Sequence, residues 1–531
     1  MTTGELHLPP NWASAELGEV CDIMSGYGFP ESLQGRKEGQ IPFYKVGDIS
    51  DAWKRGAIRL SDANHYLTMK EADSLKASLL PTSTTVFAKI GAAIALNRRA
   101  MLSVPALVDN NVMGLHPRSE ALHPAYLFYF ACTLRLNEIS QATTVPSVRK
   151  SDVSQIKLPL PPSNEQQRIV GEIEIQFARL DAAVAALKRV QANLKRYRAA
   201  VLKAACEGRL VPTEAELARR EGRSYEPASE LLKRILAERR ARWEANQLRR
   251  TGASSKASRV DNWKLKYAEP IAPKVDDLLH LPEGWCWISL DFVVHSIEAG
   301  KNFKCEERPP KGHEVGVVKV SAVTWGEFDE LETKTCPNTS WIVEKYIIRP
   351  GDFLFSRANT IELIGACVIV KHVHGRHMLS DKILRLGFMC VPTTWVLYCL
   401  RSLLGRHDIE RLSTGNQESM RNIGQDRIKQ IRIPLPPLAE IARICAEAER
   451  GFSIADALES QTELSLKRAD RLRQAILKRA FEGKLVPQDP NDEPASVLLE
   501  RIRSERGLYS SKSDQRTRKK PRRPRKPEVV E

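Results

Sequence analysis

The chain has 531 residues, a length that predicts about three or four domains with sizeable hydrophobic cores. Its 81 Lys and Arg exceed its 65 Asp and Glu by 16 charges, an excess that favours a nucleic-acid partner over a neutral one. The ten cysteines form no CxxC pair, which excludes a recognisable disulfide framework or zinc ribbon. Charges interrupt every apolar run and no signal peptide is evident, so we expect a cytoplasmic protein without a membrane span.

An internal repeat organises the chain. Three segments of the first half return at offsets of 273 to 275 residues: Leu8–Trp12 as Leu281–Trp285, Leu158–Pro162 as Ile433–Pro437, and Arg198–Pro212 as Arg473–Pro487. Between these frames, residues 13–155 and 286–430 resemble each other much less. The sequence is therefore a tandem duplication in which similar frames hold dissimilar inserts.

The pattern of elements predicts a mixed α/β fold in which two irregular α/β domains are joined by two long helices. The inserts contain short β-branched runs bounded by Gly or Pro, which are typical of short strands. The segment after each Pro-Leu-Pro-Pro motif has helical periodicity instead, and the Lys/Arg/Pro-rich end is predicted to be disordered. In chain order we expect an α/β domain at 1–162, a long helix at 163–208, a short helix with a basic linker at 209–280, an α/β domain at 281–437, a long helix at 438–483, a short helix at 484–509 and a basic tail at 510–531.

The two long helices are expected to present apolar interfaces. In the first helix, apolar residues alternate at spacings of four and three, the pattern of a coiled-coil seam; the second helix is less regular. Neither helix buries its stripe alone, so we expect the helices to pair with each other or with helices of a partner, with two independent core helices as the alternative. The interface candidates are Ile173, Phe177, Leu180, Val184, Leu187, Leu194, Phe452, Leu458, Leu472 and Ile476.

No motif for catalysis stands out in the sequence. A Walker A pattern is missing, and the Gly-x-Gly at Gly26–Gly28 is followed by Phe and Pro, which indicates a turn rather than a nucleotide-binding loop. The histidines His372, His374 and His377 have no Cys or Asp at ligand spacing and are interpreted as a loop. We therefore expect a non-catalytic chain without a metal or cofactor of its own.

Side chains suited to DNA recognition recur in both inserts. Arg, Lys, Asn and Gln match the donor and acceptor pattern of bases in the major groove. For any single residue a solvated surface is the alternative, but Ser147–Lys150 aligns with Ser419–Asn422 at an offset of 272, near the end of both inserts. The DNA-binding candidates are Arg98, Arg99, Asn110, Asn111, Arg149, Lys150, Arg357, Asn359, Lys382, Asn416, Gln417 and Arg421.

From about residue 5 to residue 507, the order of parts resembles that of a specificity (S) subunit of a bacterial type I restriction-modification system. The resemblance rests on Ile156–Ile169, on the two Glu-Gly-Arg/Lys-Leu-Val-Pro helix ends, and on Phe353–Asn359 with Thr414–Arg421. It implies that the inserts are target recognition domains, each reading half of a split, asymmetric double-stranded DNA target. It also implies that the long helices form an antiparallel coiled coil. The second frame departs from the first with Leu438-Ala-Glu-Ile-Ala-Arg443, and the basic tail has no counterpart in the first half.

The same resemblance implies the partners of the chain. Two modification (methyltransferase) subunits would dock on the helices, and restriction (motor-nuclease) subunits would join them. S-adenosylmethionine, ATP and Mg²⁺ would then belong to those partners, and none to this chain. Two alternatives stay open at this point: a self-sufficient DNA methyltransferase or nuclease with unrecognised motifs, and a coiled-coil scaffold that reads no sequence.

Overall fold

The computed structural model describes residues 8–119, 121–140, 145–252, 261–275, 278–417 and 420–504. The predicted basic tail lies outside these described residues. The chain folds into two compact units: unit 1 comprises Met1–Leu187 with Glu463–Glu531, and unit 2 comprises Lys188–Thr462. Each unit thus combines one insert with part of both long helices, and the last described segment of the chain folds with its beginning.

Unit 1 builds its insert from short strands and helices. The strands are β1 (Ala13–Glu16), β2 (Cys21–Ser25), β3 (Ile41–Tyr44), β4 (Arg59–Leu60), β5 (His65–Leu67), β6 (Thr85–Ala88), β7 (Arg99–Leu102), β8 (Leu107–Val108), β9 (Val112–Pro117) and β10 (Lys157–Leu160). The helices are α1 (Leu17–Val20), α2 (Val46–Lys54), α3 (Met69–Ser74), α4 (Pro124–Thr133), α5 (Lys150–Ser154) and the long α6 (Ser163–Cys206). The main sheet has the order β2-β9-β6-β7-β4, and a smaller one has the order β5-β3-β8. Strand β6 is buried along its whole length, so the core lies on both faces of the main sheet.

Unit 2 repeats this plan with different strands. Its helices are α7 (Glu214–Glu221), α8 (Ala228–Gly252), α9 (Thr393–Arg401), α10 (Leu403–Leu412), α11 (Gln425–Ile428) and the long α12 (Leu438–Phe481). Its strands are β11 (Cys286–Ser289), β12 (Val294–Ala299), β13 (Gly316–Val318), β14 (Thr333–Thr335), β15 (Phe353–Ser356), β16 (Ala358–Asn359), β17 (Cys367–Ile369), β18 (His377–Met378), β19 (Ile383–Phe388), β20 (Thr414–Gln417), β21 (Met420–Asn422) and β22 (Arg432–Leu435). The sheets have the orders β12-β19-β15-β17, β14-β13-β18 and β16-β21-β20. The mixed α/β fold class with two long helices is confirmed.

The repeated frames form the same structure in both units. Strand β1 pairs antiparallel with β10, and β11 pairs in the same way with β22, so each Pro-Leu-Pro-Pro motif leads from an insert into a long helix. The indole Nε1 of Trp12 donates to Glu165 at 3.0 Å, and that of Trp285 donates to Glu440 at 3.0 Å. These Trp–Glu pairs are buried and tie the start of each insert to the first turn of the long helix that follows it.

The segments after the long helices complete the units. Gly208 and Gly483 both have φ of +67°, and a Cβ at either position would lie within 2.4 Å of a proline ring, Pro282 for the first and Pro9 for the second. Both positions therefore need glycine, because the backbone conformation and the close contact exclude a side chain. The N–H of Ala495 donates to the carbonyl of Asn11 at 2.9 Å in unit 1, as that of Ala228 donates to Gly284 at 2.8 Å in unit 2.

Within each unit the two long helices pair antiparallel. In unit 1, Arg473 of α12 forms an ion pair with Asp181 of α6 and lies 4.4 Å from the ring of Phe177. In unit 2, Arg198 of α6 forms ion pairs with Asp456 and Glu459 at 2.7 and 2.6 Å. Of the interface candidates on α6, three are buried (Ile173, Phe177, Leu194) and three are half-buried (Leu180, Val184, Leu187).

The buried row of α12 differs from the one expected from its large apolar residues. Ala448, Ala455, Thr462, Ala469 and Ile476 are buried at intervals of seven residues. Leu458 and Leu472 are 47% and 49% exposed, and Phe452 is half-buried. The α12 seam prediction was therefore right for Ile476 and wrong for Leu458 and Leu472. Small residues allow two helices to approach closely while adding little to a hydropathy pattern.

Helix α8 is longer than predicted. The sequence placed a short helix followed by a basic linker at 209–280, but α8 continues to Gly252 through much of that basic stretch. Its Arg-rich composition is compatible with a helix, since Arg has a high helix propensity. In unit 1 the corresponding described helix spans residues 495–504.

Replacing Glu440 by Gln is expected to destabilise the protein more than replacing Glu165 by Gln. The oxygens of Glu440 accept from Trp285 and, at 2.8 Å, from the backbone N–H of Glu214. A Gln amide would place a donor against one of these fixed donors. At Glu165 the second donor is the side-chain amide of Gln488 at 2.6 Å, which is able to rotate and present its oxygen. We expect E440Q to lose roughly 1–3 kcal/mol and E165Q to lose little, measured as melting temperatures.

The raised pKa values of the two glutamates make the stability of these variants, relative to wild type, depend on pH. Burial raises the pKa of Glu165 and Glu440. A carboxyl group with a raised folded pKa stabilises the fold fully below its unfolded pKa and loses that contribution as the pH rises through the folded pKa. The stability of E165Q should therefore improve relative to wild type as the pH rises from about 4 to 7. A larger loss for E165Q than for E440Q at neutral pH would contradict the geometry.

Candidate nucleic-acid interface

In unit 1, the end of strand β6 is held between two segments that carry predicted DNA-binding residues. The backbone N–H of Lys89 donates to the carbonyl of Asn111 at 2.8 Å, and its own carbonyl accepts from the N–H of Val148 at 2.9 Å. A turn shapes the first of these segments, because the N–H of Asn111 donates to the Asp109 carboxylate at 2.7 Å. The pKa of Lys89 is lowered by partial burial, with Asp109 acting against this shift. This region, cluster 1, comprises Lys89, Asn110, Asn111, Arg149 and Lys150.

In unit 2, the end of strand β15 is held in the same way. The N–H of Arg357 donates to the carbonyl of Lys382 at 2.9 Å, and its carbonyl accepts from the N–H of Ile423 at 2.9 Å. Nε of Arg357 also donates to Oδ1 of Asn422 at 3.4 Å. Asn359 pairs with Arg421 across strands β16 and β21. This region, cluster 2, comprises Arg357, Asn359, Lys382, Gln417, Arg421 and Asn422.

The backbone bonds make Lys89 and Arg357 equivalent positions and correct the alignment of the two inserts. Since Val148 and Ile423 make the same bond, the offset here is 275 residues. Ser147 therefore corresponds to Asn422 and not to Ser419, as the sequence alignment at offset 272 had it. The short Ser-x-Arg match that suggested offset 272 is a coincidence of composition.

Sequence reasoning missed Lys89 and Asn422. A signal for Lys89 was present, because Thr85–Lys89 and Phe353–Arg357 are both short apolar strands that end in a basic residue. The pairing of Asn422 with the strand after Arg357 depends on a contact between segments 65 residues apart, which periodicity does not reveal.

The members of cluster 2 differ in how freely they reach a ligand. Gln417 and Lys382 are exposed, whereas Arg357, Asn359 and Arg421 are half-buried. Arg421 braces the hairpin of β20 and β21, because its guanidinium donates to the Ser413 hydroxyl at 2.9 Å and to the Gly415 carbonyl at 2.8 Å. The side chain of the predicted Asn416 lies outside the described residues. In cluster 1, Asn110, Arg149 and Lys150 are exposed.

The structure excludes Arg99 as a DNA contact, whereas the predicted Arg98 is half-buried and directly precedes β7. Arg99 is 1% exposed, and its guanidinium donates to Oδ1 of Asn97 at 2.8 Å and to the carbonyl of Leu134 at 3.2 Å. Burial lowers the pKa of Arg99 to about 10. The prediction for Arg99 was wrong because all four residues of β7 are buried, so side chains on both faces of this strand lie inside the domain.

Two of the histidines considered as metal ligands lie close to one carboxylate, and one of them, His377, belongs to strand β18 instead of the predicted loop. Nδ1 of His374 lies 2.7 Å from Oε1 of Glu330, and Nε2 of the buried His377 lies 3.6 Å from the same carboxylate. Among the described residues, no group of three or more His, Cys, Asp or Glu side chains is arranged to hold a metal ion. Within that same part of the chain, no helix is long and apolar enough to cross a membrane.

Comparison with known proteins finds similarity to DNA specificity subunits. Residues 9–186 match the family model described as the type I restriction modification DNA specificity domain. The EcoEI specificity subunit of Escherichia coli is 29% identical over 58% of this chain, an alignment that spans about half (49%) of that protein. The EcoKI specificity subunit of Escherichia coli strain K12 is 21% identical, with 97% of this chain and 99% of that protein covered.

A solved structure shares the fold over most of the chain. It comes from work on the complex assembly and conformational transition of the type I R-M system, and it is 19% identical in sequence. The alignment has a TM-score of 0.58 and covers 90% of this chain and 99% of the other. At this identity the likeness shows a common fold.

Proposed function

We infer that the chain belongs to the specificity subunits of type I restriction-modification systems, and from this premise we propose that clusters 1 and 2 each read one half of a split, asymmetric DNA target. The observation that carries the proposal is the equivalence of Lys89 and Arg357. Each is the first residue after a buried strand, held by the same pair of backbone hydrogen bonds. Equivalent frames that present different side chains suit two different half-sites.

The chemistry of the two clusters supports base reading. Lys donates as a point charge, whereas Arg donates two parallel hydrogen bonds that match the O6 and N7 acceptors of guanine. Asn and Gln amides match adenine in the same groove. The surrounding basic residues supply phosphate contacts, which carry affinity without sequence information. A chain with two unlike clusters therefore suits an asymmetric target better than a palindrome.

The proposed partners follow from the same premise. Two modification subunits dock on the long helices, where the half-exposed Leu458 and Leu472 of α12 lie two heptads apart on one face. Restriction subunits join this complex in the cytoplasm. In this proposal the methyl transfer, the ATP-driven motion and the DNA cleavage belong to those subunits, with their S-adenosylmethionine, ATP and Mg²⁺.

Genome-wide methylation mapping tests the proposed function. The chain is expressed in a host with its neighbouring methyltransferase, and the methyltransferase alone serves as the control. We expect a split, asymmetric methylated motif that appears only when the chain is present. A motif that appears without the chain, or the lack of any motif with it, would overturn the proposal.

A further inference from the structure

A basic groove in unit 2 lies outside clusters 1 and 2. It has a volume of about 370 Å³ and is formed by the second half of α8, the segment after it, strand β12 and the end of α11. Its described lining contains four Lys or Arg side chains and one carboxylate. These residues are Arg239, Arg242, Lys266, Lys429 and Asp291.

The single carboxylate of this lining is already engaged. The guanidinium of Arg239 lies 3.5 Å from Asp291 and also donates to the hydroxyl of Tyr267 at 2.8 Å and to the carbonyl of Ala268 at 2.9 Å. It stacks over the Tyr267 ring, with 5.3 Å between the guanidinium carbon and the ring centre. Arg239 and Asp291 are therefore part of the wall, and they hold the Tyr267 segment against α8.

The other three cations of the groove are weakly compensated. In the described part of the chain, Arg242 lies 3.8 Å from the carboxylate of Glu238, and Lys429 lies 3.9 Å from that of Asp426, whose side chain is 96% exposed. Such long, exposed pairs contribute little. Lys266 is exposed. Burial and the charge of Arg242 lower the pKa of His295, which lines the same groove, so this ring shares the positive field of its neighbours.

One side of the groove is close to cluster 2 in the sequence. Asn422 of cluster 2 is followed after two residues by Gln425, which lines the groove together with Lys429 at the other end of α11. A polyanion held at cluster 2 is therefore within reach of the groove cations. The amide of Asn246 adds a neutral donor to the lining, and Trp243 and Tyr267 supply apolar walls.

We propose that this groove binds the sugar-phosphate backbone of DNA beside the half-site read by cluster 2. The proposal rests on the proposed function and adds a separate contact to it. Arg242, Lys266 and Lys429 neutralise phosphates, while the Arg239–Tyr267 wall keeps α8 in place. Contacts of this kind carry affinity and salt dependence and leave the recognised sequence unchanged.

A pair of double variants of the full-length chain, each purified in its methyltransferase complex, tests the groove. The first, Arg242→Gln with Lys266→Gln, removes two groove cations. The control, Lys233→Gln with Arg234→Gln, removes two cations from the preceding turns of the same helix, where the side chains are 72% and 59% exposed and do not line the groove. DNA affinity is measured against salt concentration on the target and on a scrambled sequence.

At about 0.1 M salt, the affinity of the groove variant for both sequences is expected to be lower than that of wild type by roughly tenfold or more. The slope of log affinity against log salt concentration should decrease in magnitude by about 1 for each lost phosphate contact. The preference of the groove variant for the target should match wild type. Equal slopes for the groove variant and the control would overturn the proposal that the groove binds DNA. A loss of methyltransferase retention without a loss of DNA affinity would also overturn it, because that result would identify the groove as a protein-docking surface.

Failure of the proposed function gives a different result. A wild-type complex that does not distinguish the target from the scrambled sequence would reject base reading by this chain. In that case a smaller salt slope of the groove variant would still support binding of the DNA backbone in the groove. An unchanged slope would reject backbone binding together with base reading.

Discussion

Replacing Lys89 and Arg357 together by Ala is expected to relax base discrimination in both halves of the target. Each single variant should affect one half only, because the two residues belong to different units. A bidentate side-chain contact to a base is worth roughly 1–3 kcal/mol of discrimination, or about 5- to 150-fold. Methylation rates on targets with single base changes measure this effect.

Folding should survive these substitutions, since the bonds that hold both positions are formed by the backbone. Exposed basic residues away from the clusters, Lys54 in unit 1 and Arg349 in unit 2, give matched Ala controls that should leave discrimination unchanged. An equal loss of affinity on all sequences would identify Lys89 and Arg357 as phosphate contacts instead of base contacts. Relaxed discrimination in the opposite half would contradict the assignment of the clusters to the units.

Much of the fold was predictable because periodicity and repetition are properties of the sequence itself. The long helix predicted at 438–483 corresponds to α12, which spans Leu438–Phe481, and α6 begins at the predicted Ser163. The failure at the α12 seam has a physical cause: Ala455 and Ala469 are small enough to lie between two helices but contribute little to an apolar stripe.

The site was less predictable because it depends on which strands become neighbours. Arg99 follows Arg98 in an apparently polar stretch, and only the structure shows that β7 is buried on both faces and the Arg99 side chain with it. Lys89 and Arg357 occupy equivalent places through bonds to segments that lie between 22 and 66 residues away along the chain. Residue type predicted the kind of chemistry, and strand pairing selected the residues that are in position to perform it.

Replacing Leu458 and Leu472 by Asp is expected to abolish retention of the modification subunit while the chain stays folded. Both side chains are about half exposed, at 47% and 49%, so the charges reach solvent in the free chain. In a docked complex they would be buried without a partner, which costs several kcal/mol per charge. Co-purification of the modification subunit measures retention, and the melting temperature of the free chain measures folding.

Two further variants separate docking from folding. Leu331→Asp makes the same change at a position that is 72% exposed and outside the long helices, and it should retain the modification subunit. Ala455→Asp buries a charge in the seam of α12, where the side chain is 1% exposed, and should lower the melting temperature itself. Because Leu180 and Leu187 lie in the half-buried row of α6, Asp at those positions should also destabilise the helix pair. If the Leu458 and Leu472 variant keeps both its melting temperature and its modification subunit, the partner docks on a different face of the chain.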